Sequence, residues 1–342
     1  MKTYSVAIVG ATGAVGKELM IGLEERDFPV GKLKLLASAR SHGKYLPFKG
    51  REIMVEACTK DSFDDVDIVL FAGGSQSKEF ARDAVKAGAI VVDNSSAFRM
   101  DPKVPLVVPE VNPEDLKWHK GLIANPNCST IQMVVALKPL HDRAKIKRII
   151  VSTYQAVSGA GKEAIDELEE QVRDFGNGKT DAAQWKTEVF PYPIAFNLIP
   201  HIDVFTDNGY TKEEMKMVYE TRKMFHDDTI AINATTVRVP IIRSHSESIT
   251  IETETPLTPE EAKEILSAAE GVVVIDAPED KKYPMPLYAS GTNEVYVGRI
   301  RKDISSENGL SLWVVADQLR KGAATNGIQI AEKLIEMNLV GE

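Results

Sequence analysis

The feature that most constrains this chain is a short apolar run that ends in a glycine-rich turn and opens directly into a helical pattern. Ser5-Val6-Ala7-Ile8-Val9 reads as a strand, Gly10-Ala11-Thr12-Gly13-Ala14-Val15-Gly16 as the turn, and Lys17 to Glu25 as the helix. Glycines let a chain turn tightly and let its backbone approach a ligand closely. The helix start that follows presents unpaired N–H groups and the positive end of a dipole, which suits a pyrophosphate. The spacing is G-x-x-G-x-x-G, a variant of the dinucleotide fingerprint, and it gains weight from standing after a strand and before a helix. The structural alternative is a glycine-rich turn in a sheet that binds no nucleotide. Gly10, Thr12, Gly13, Ala14 and Val15 are the residues placed against a dinucleotide.

Further short apolar runs follow at Lys34–Ala37, Asp67–Ala72, Ala89–Asp93 and Leu106–Val108, separated by helical stretches such as Ser77 to Ala87. That rhythm predicts a doubly wound parallel sheet, a Rossmann-like first domain. Ligands bind at the carboxyl ends of such strands. Ala72-Gly73-Gly74-Ser75 and Asp93-Asn94-Ser95-Ser96 stand at two of them. The end of the second strand chooses between NAD and NADP, because NAD enzymes usually place an acid there for the ribose hydroxyls. Here it reads Ala37-Ser38-Ala39-Arg40-Ser41, with no acid. Arg40 and the hydroxyls, Ser41 included, suit a 2′-phosphate, so NADP is the expected cofactor. A solvated loop arginine is the alternative.

The chain has 342 residues, enough for two domains with real cores. A formal net charge of −9 argues against a nucleic-acid surface, and no apolar run reaches transmembrane length. Only two cysteines occur, Cys58 and Cys128, so a disulfide framework is not the design. With a strand pattern at the start in place of a signal segment, this points to a reducing cytoplasm. Cys58 reads as strand packing. Cys and His lack metal-ligand spacing, so no metal is expected.

Cys128 follows Ala124-Asn125-Pro126-Asn127 and precedes a helical stretch, Ser129 to Leu137. At a helix N-terminus the dipole and free N–H groups favour the thiolate, which is the nucleophilic form. A small buried hydrophobe is the structural alternative. Beyond Cys128 the strands lengthen and alternate: Arg148–Tyr154, Ile230–Ile242, Ser248–Thr253, Val272–Ile275, Val295–Gly298 and Leu310–Val315. Helices are expected at Lys162–Asp174, Lys212–Phe225 and Pro259–Ala269, a long loop from Gly176 to Pro200, and a last helix from Ala323 to Glu336. The pattern gives an α+β second domain, 129–318. The first domain is 1–128, with 319–342 returning to it.

Several motifs occur in one order: GATGAVG (10–16), SARS (38–41), DNSSAFR (93–99), ANPNCSTIQ (124–132), TYQAVSGAG (153–161), NLIPHID (197–203), RVP (238–240) and RSHSES (243–248). By them the chain resembles the aspartate-β-semialdehyde dehydrogenases of bacteria over essentially its whole length. The resemblance implies an NADP-dependent enzyme that reductively dephosphorylates L-aspartyl-4-phosphate to the semialdehyde through a thioester on Cys128. It implies a place in lysine, threonine, methionine and diaminopimelate biosynthesis, and a homodimer formed through the second domain. Its partners would be small molecules alone, namely aspartyl-4-phosphate, aspartate semialdehyde and phosphate, with no nucleic acid and no membrane.

The same resemblance assigns roles. His245 matches the general acid/base, a task suited to imidazole. His201 is a rival that periodicity does not separate from it; the motif favours His245. Gln155 matches the residue that orients substrate beside the cysteine. Arg99 and Lys223, helped by Asn127, match the phosphate ligands, Arg238 the α-carboxylate ligand and Glu220 the α-ammonium ligand. Read from spacing alone, Glu220 and Lys223 form a solvated pair on one helix face. Arg238 alternates with Val237 and Val239 and needs an anionic partner on its buried side. Ser158 and Gly159 match the segment near the nicotinamide, and Gln318 another cofactor contact. Ser158 also reads as a helix cap and Gln318 as a polar flank. The alternatives in chemistry and class are an N-acetyl-γ-glutamyl-phosphate reductase, whose motif has glycine where this chain has Asn127, and a non-catalytic NADP-binding paralogue.

Overall fold

The structure, a computed structural model, describes residues 2–341; Met1 and Glu342, the outer ends of the segments assigned to the first domain, lie outside it. The chain divides into two compact units. One comprises the residues up to Ile131, Lys223–Phe225, and the chain from Leu319 onward; the other comprises Gln132–Arg222 and His226–Gln318.

The first unit is built on β1 (Tyr4–Val9), α1 (Ala14–Glu25), β2 (Val30–Ala37), β3 (Tyr45–Phe48), β4 (Arg51–Ala57), β5 (Ile68–Phe71), α2 (Ser75–Lys86), β6 (Ile90–Asp93) and β7 (Leu122–Ala124), and ends in the first turn of α3 (Cys128–Ala144). The sheet order is β3-β4-β2-β1-β5-β6-β7. Every pairing is parallel except β3 with β4. This is the expected doubly wound sheet. Its central strands β5 and β6 are buried at every residue, as a sheet covered on both faces requires. Two details differ from expectation. Helix α1 starts at Ala14, inside the glycine motif, because Gly13 already serves as its N-cap. Leu106–Val108 is not a strand; Leu106 makes one bridge to Ala124, and β7 takes the edge position.

The second unit carries β8 (Ile146–Gln155), α4 (Lys162–Gly176), α5 (Lys212–Phe225, its last turn grouped with the first unit), β9 (Ala231–Arg238), β10 (His245–Thr253), α6 (Pro259–Ser267), β11 (Val272–Val274), α7 (Pro286–Ala289), β12 (Val295–Lys302) and β13 (Gly309–Ala316). The sheet order is β11-β12-β13-β10-β8-β9. Its middle is antiparallel, and the pairs β11·β12 and β8·β9 are parallel. The strand expected over 230–242 stops at Arg238. Pro240 lacks the N–H that a ladder needs, and the chain leaves the sheet there. Register then sets Gln155 opposite Arg238 at the end of the β8·β9 pair.

Residues 176–200 form a loop, as expected, with one short helical turn at Ala182–Gln184. Two buried side chains of α4 hold it. Glu167 accepts from the N–H groups of Glu188 and Val189 at 2.7 and 2.6 Å, and Gln171 from those of Ile194 and Ala195 at 2.9 Å. They satisfy backbone donors that no sheet or helix pairs.

The last helix, α8 (Thr325–Glu336), belongs to the first unit, where Ile328, Ile330 and Leu334 join a core of Val6, Ile8, Leu23, Leu35, Ile68 and Leu70. A π-turn, Arg320–Ala324, precedes it. Lys321 in that turn is fully buried and bonds Glu110 at 2.7 Å, with Asn326 and Gln329 completing its ammonium shell. Although burial works against the charge, the Lys321 ammonium keeps the Glu110 carboxyl below the usual carboxylate range.

Candidate functional site

In the first unit the candidate residues gather at the carboxyl ends of the parallel strands. Gly10 has φ of +86°, and a Cβ on Gly16 would collide with the Gly10 carbonyl, so the turn needs glycine at both places. The N–H groups of Gly10 and Ala11 bond Leu36 O at 2.8 and 3.1 Å, which ties the turn to the end of β2. Thr12 Oγ1 lies 3.4 Å from Ser41 Oγ, so the glycine turn and the Ser38–Ser41 loop share one rim. Arg40 is exposed on that rim, and Ala14 and Val15 start α1 half-buried. The site fits a dinucleotide phosphate on structural grounds, with a glycine turn that opens a helix at the strand ends and an exposed arginine on the same rim.

Cys128 is the first residue of α3, and Asn127 caps it: Oδ1 accepts from the N–H groups of Ser129 and Thr130 at 3.1 and 3.2 Å. Gly322, in the π-turn, packs on Cys128; a Cβ there would stand 2.9 Å from the Cβ of Cys128. Arg99 is buried and aimed by carbonyls, donating to Asn125 O at 2.9 Å and Asn94 O at 3.0 Å. Asn125 in turn bonds Asn94 at 2.7 Å and Asn326 at 2.6 Å. Lys223, expected as a second phosphate ligand, also meets main chain of this unit. Its Nζ donates to the carbonyls of Arg99, Asp101 and Val104 at 2.7, 2.9 and 2.8 Å. These bonds tie the ammonium to the segment that follows Arg99. Lys223 therefore braces the loop that carries Arg99.

In the second unit four expected residues converge on the main chain of Ala156. His245 is fully buried at the start of β10, and its Nδ1 accepts from Ala156 N–H at 3.1 Å. That bond assigns the ring proton of the neutral imidazole to Nε2. Nε2 is buried without a protein partner. Arg238 donates from Nη1 to Ala156 O at 2.6 Å and lies over the Phe190 ring, 5.9 Å from its centroid. Gly159 opens the space between the two: a Cβ there would sit 3.0 Å from Arg238 Nη1 and 3.4 Å from His245 Nε2. Gln155 completes the set, donating from Nε2 to Glu213 at 3.3 Å. Burial first, and the Arg238 charge second, push the His245 imidazolium down to about 3, against the opposing pull of Glu213 and the Ser244 carbonyl.

The loop before β10 is over-determined. Ser244 holds φ of +73°, unusual for a residue with a side chain, and its N–H donates to Gln318 Oε1 at 2.7 Å. Gln318 also donates to Ser158 Oγ, and Ser158 Oγ to Ile242 O. Arg243 pairs with the buried Asp317 at 2.5 Å. Ser158 and Gln318 thus fix the strand entry that presents His245. Glu220 is buried on α5. His201 stands outside the cluster, stacked on Phe205 with centroids 4.5 Å apart. Cys58 is half-buried just past β4, with its thiol pushed up to about 12 by burial and Glu79, which disfavours the thiolate. Sequence reasoning missed Glu213, Asn94, Asn125, Asn326 and Gly322. The asparagines inside quoted motifs were findable; Glu213 and Gly322 carry no local signal.

Among the described residues no group of His, Cys, Asp and Glu could hold a metal, and no helix is long and apolar enough to cross a membrane. Two family models match the chain: "Semialdehyde dehydrogenase, NAD binding domain" over residues 5–119 and "Semialdehyde dehydrogenase, dimerisation domain" over residues 137–321. The chain is 60% identical over 341 residues to the aspartate-semialdehyde dehydrogenase of Aquifex aeolicus, covering 98% of this chain and 99% of that one. Its fold matches the crystal structure of aspartate semialdehyde dehydrogenase II from Vibrio cholerae complexed with ASA, with TM-score 0.94, 49% identity and coverage of 98% and 99%. It also matches the Candida albicans aspartate semialdehyde dehydrogenase with NADP, with TM-score 0.76, 26% identity and coverage of 98% and 99%.

The His245 environment yields a direct test. Replacing Arg238 by Met removes one of the two causes that lower the imidazolium. The His245 pKa should rise from about 3 yet stay below the ordinary histidine value, because burial remains. Titration followed by NMR of the histidine ring measures it, and an unmoved value would show that Arg238 does not act on the ring.

Proposed function

The chain belongs to the aspartate-semialdehyde dehydrogenase family, and from that premise we propose that it interconverts L-aspartyl-4-phosphate and L-aspartate 4-semialdehyde with NADP(H), through a thioester on Cys128. The observation that carries the reading is the pairing of two chemistries in one chain: a thiol at the capped first residue of a helix, and a buried imidazole whose Nε2 is unpartnered. In the reductive direction the Cys128 thiolate attacks the acyl carbon, and the C–O bond to phosphate breaks. Arg99 steadies the departing phosphate, and Asn127 and the helix N-terminus favour the anionic sulfur. NADPH held at the glycine turn and the Arg40 loop would supply the hydride that reduces the thioester carbonyl. His245 then donates a hydrogen bond from Nε2 to the oxygen on which charge develops. Collapse of the thiohemiacetal returns the thiolate and releases the aldehyde. Covalent catalysis divides one hard displacement into two easier ones.

Arg238 takes the α-carboxylate, since its planar fork can engage both oxygens. This offsets the Arg238 charge, the second of the two causes that depress the His245 imidazolium, while burial, the larger one, remains and keeps the ring neutral. Glu220 receives the α-ammonium, and Gln155, held by Glu213, orients the acyl group. Gly10, Thr12, Gly13, Ala14 and Val15 would hold the pyrophosphate, Arg40 and Ser41 the 2′-phosphate. Gly159 leaves room for the nicotinamide, with Ser158 and Gln318 fixing its wall. Residues 129–318 serve as catalytic and dimerisation domain of a cytoplasmic homodimer. The exposed apolar side chains Phe196, Leu198, Val204 and Phe205 of the second unit are consistent with a subunit contact. The asparagine before Cys128, in place of glycine, favours this reading over the N-acetyl-γ-glutamyl-phosphate reductase.

The test of function is phosphate-dependent formation of NADPH from aspartate semialdehyde. The wild-type chain should be active and Cys128→Ala inactive, with NADP affinity retained; substantial turnover by the alanine variant would sink the covalent route. Arg40→Ala should weaken NADP by about 1.5–3 kcal/mol while leaving NAD nearly untouched. Equal losses would remove Arg40 from the 2′-phosphate. Gly322→Ala should lower kcat by roughly 10- to 10²-fold, because a Cβ 3.2 Å from the Cα of Cys128 forces the nucleophile aside. An unchanged kcat would show that this contact does not set the thiol position.

A further inference from the structure

Strand β10 buries a second ionisable side chain beside His245. Side chains alternate along a strand, so Glu247 shares a face with His245, and both are fully buried. The positions across from Glu247 are Thr153 on β8 and Val314 on β13, neither of which is ionisable at working pH. Helix α3 presents Gln132, also fully buried, whose amide is the hydrogen-bonding group near the carboxyl. No cation on any of these elements acts on Glu247; the titratable neighbour on its own strand is His245.

Three polar atoms here lack a protein partner as the atoms stand: both carboxyl oxygens of Glu247, and Oε1 of Gln132. Gln132 Nε2 donates, at 3.5 Å, to the main-chain oxygen of His245. A carboxylate would place an uncompensated charge in this enclosure and would offer Gln132 Oε1 nothing, since it only accepts. A carboxylic acid offers the missing donor. We propose that Glu247 is held as a neutral acid whose O–H donates to Oε1 of Gln132, and that this bond makes Glu247 a positioning residue for His245. The chain of bonds runs from Glu247 O–H to Gln132 Oε1, and from Gln132 Nε2 to the His245 carbonyl. It ties the main chain of His245 to α3, in addition to the Ala156 bond to its ring. Burial acts in the same direction and outweighs the Gln132 amide, which on its own favours the carboxylate; the Glu247 carboxyl is held well above the usual range.

The positioning role rests on the reading of His245 given above; the protonation state does not, and the experiment separates them. Infrared difference spectra of the full-length protein, Glu247→Gln against wild type, should show a protonated-carboxyl C=O band in the wild type that the variant lacks. An unfolded glutamate ionises while the folded one keeps its proton, so wild-type stability should fall relative to Glu247→Gln as pH rises from about 5 to about 8. The gap in Tm between the two should therefore widen in favour of the glutamine variant. Absence of the band, or a gap widening in favour of the wild type, would overturn the neutral acid. Glu247→Leu should lower kcat by about 10-fold with KM for NADP unchanged, and Glu247→Gln, whose amide still donates to Gln132, should rescue kcat to within about 2-fold. Equal impairment of the two variants would overturn the positioning role. If no variant and no wild type turned over aspartate semialdehyde, the functional reading would fail, and the spectral and stability results would still decide the proton.

Discussion

The main chain of Ala156 holds two side chains at once: its N–H donates to Nδ1 of His245, and its C=O accepts from Nη1 of Arg238. The first bond chooses a tautomer and leaves Nε2 as the working atom. The second sets a guanidinium charge close enough to disfavour imidazolium. A histidine that rests neutral accepts at Nδ1 and donates at Nε2 at the same time, whereas an imidazolium could only donate. Its electrostatics then respond to whatever anion occupies Arg238. The positive φ of Ser244, the Gln318 bond to its N–H and the Arg243–Asp317 pair keep the strand entry in the one conformation that permits this.

In the first unit, backbone performs the work that side chains perform in the second. Arg99 is aimed by two carbonyls, and Lys223 donates to three more. The ammonium that the family motif offers as a phosphate ligand braces the Arg99 loop in this structure. The cradle at the start of the chain is backbone too, shaped by glycines that leave no room for a Cβ. Helix α8, entering through a π-turn, supplies both hydrophobic core and the Gly322 contact on Cys128. A π-turn inserts an extra residue into a helix and is often found at functional sites. Here it lets Lys321 reach Glu110 while Gly322 faces the thiol.

Much of this was legible in the sequence because it rests on local chemistry. The strand–glycine–helix signal at Ser5–Glu25, the thiol ahead of an apolar helix, and the missing acid after the second strand each follow from residue type and spacing. The choice of His245 over His201 was not a local matter, and it took family motifs to make it. The two rings lie in different surroundings: His201 stacks on a phenylalanine, whereas His245 is fully buried near Arg238 and Gln155. What the sequence did not disclose are contacts between residues far apart in the chain. Lys223 reaches Arg99 across more than a hundred residues, Glu213 meets Gln155, and the end of β9 at Arg238 follows from a proline two positions on. Leu106–Val108 has strand composition, yet β7 occupies the edge and leaves it one bridge.

The account turns on the resting state of one ring, and ¹⁵N NMR of the histidine nitrogens at neutral pH observes it directly. His245 should appear as a neutral ring with an unprotonated, hydrogen-bonded Nδ1 and a proton on Nε2. An imidazolium, or a neutral ring with its proton on Nδ1, would contradict the Ala156 bond and the proton-donor role that depends on it.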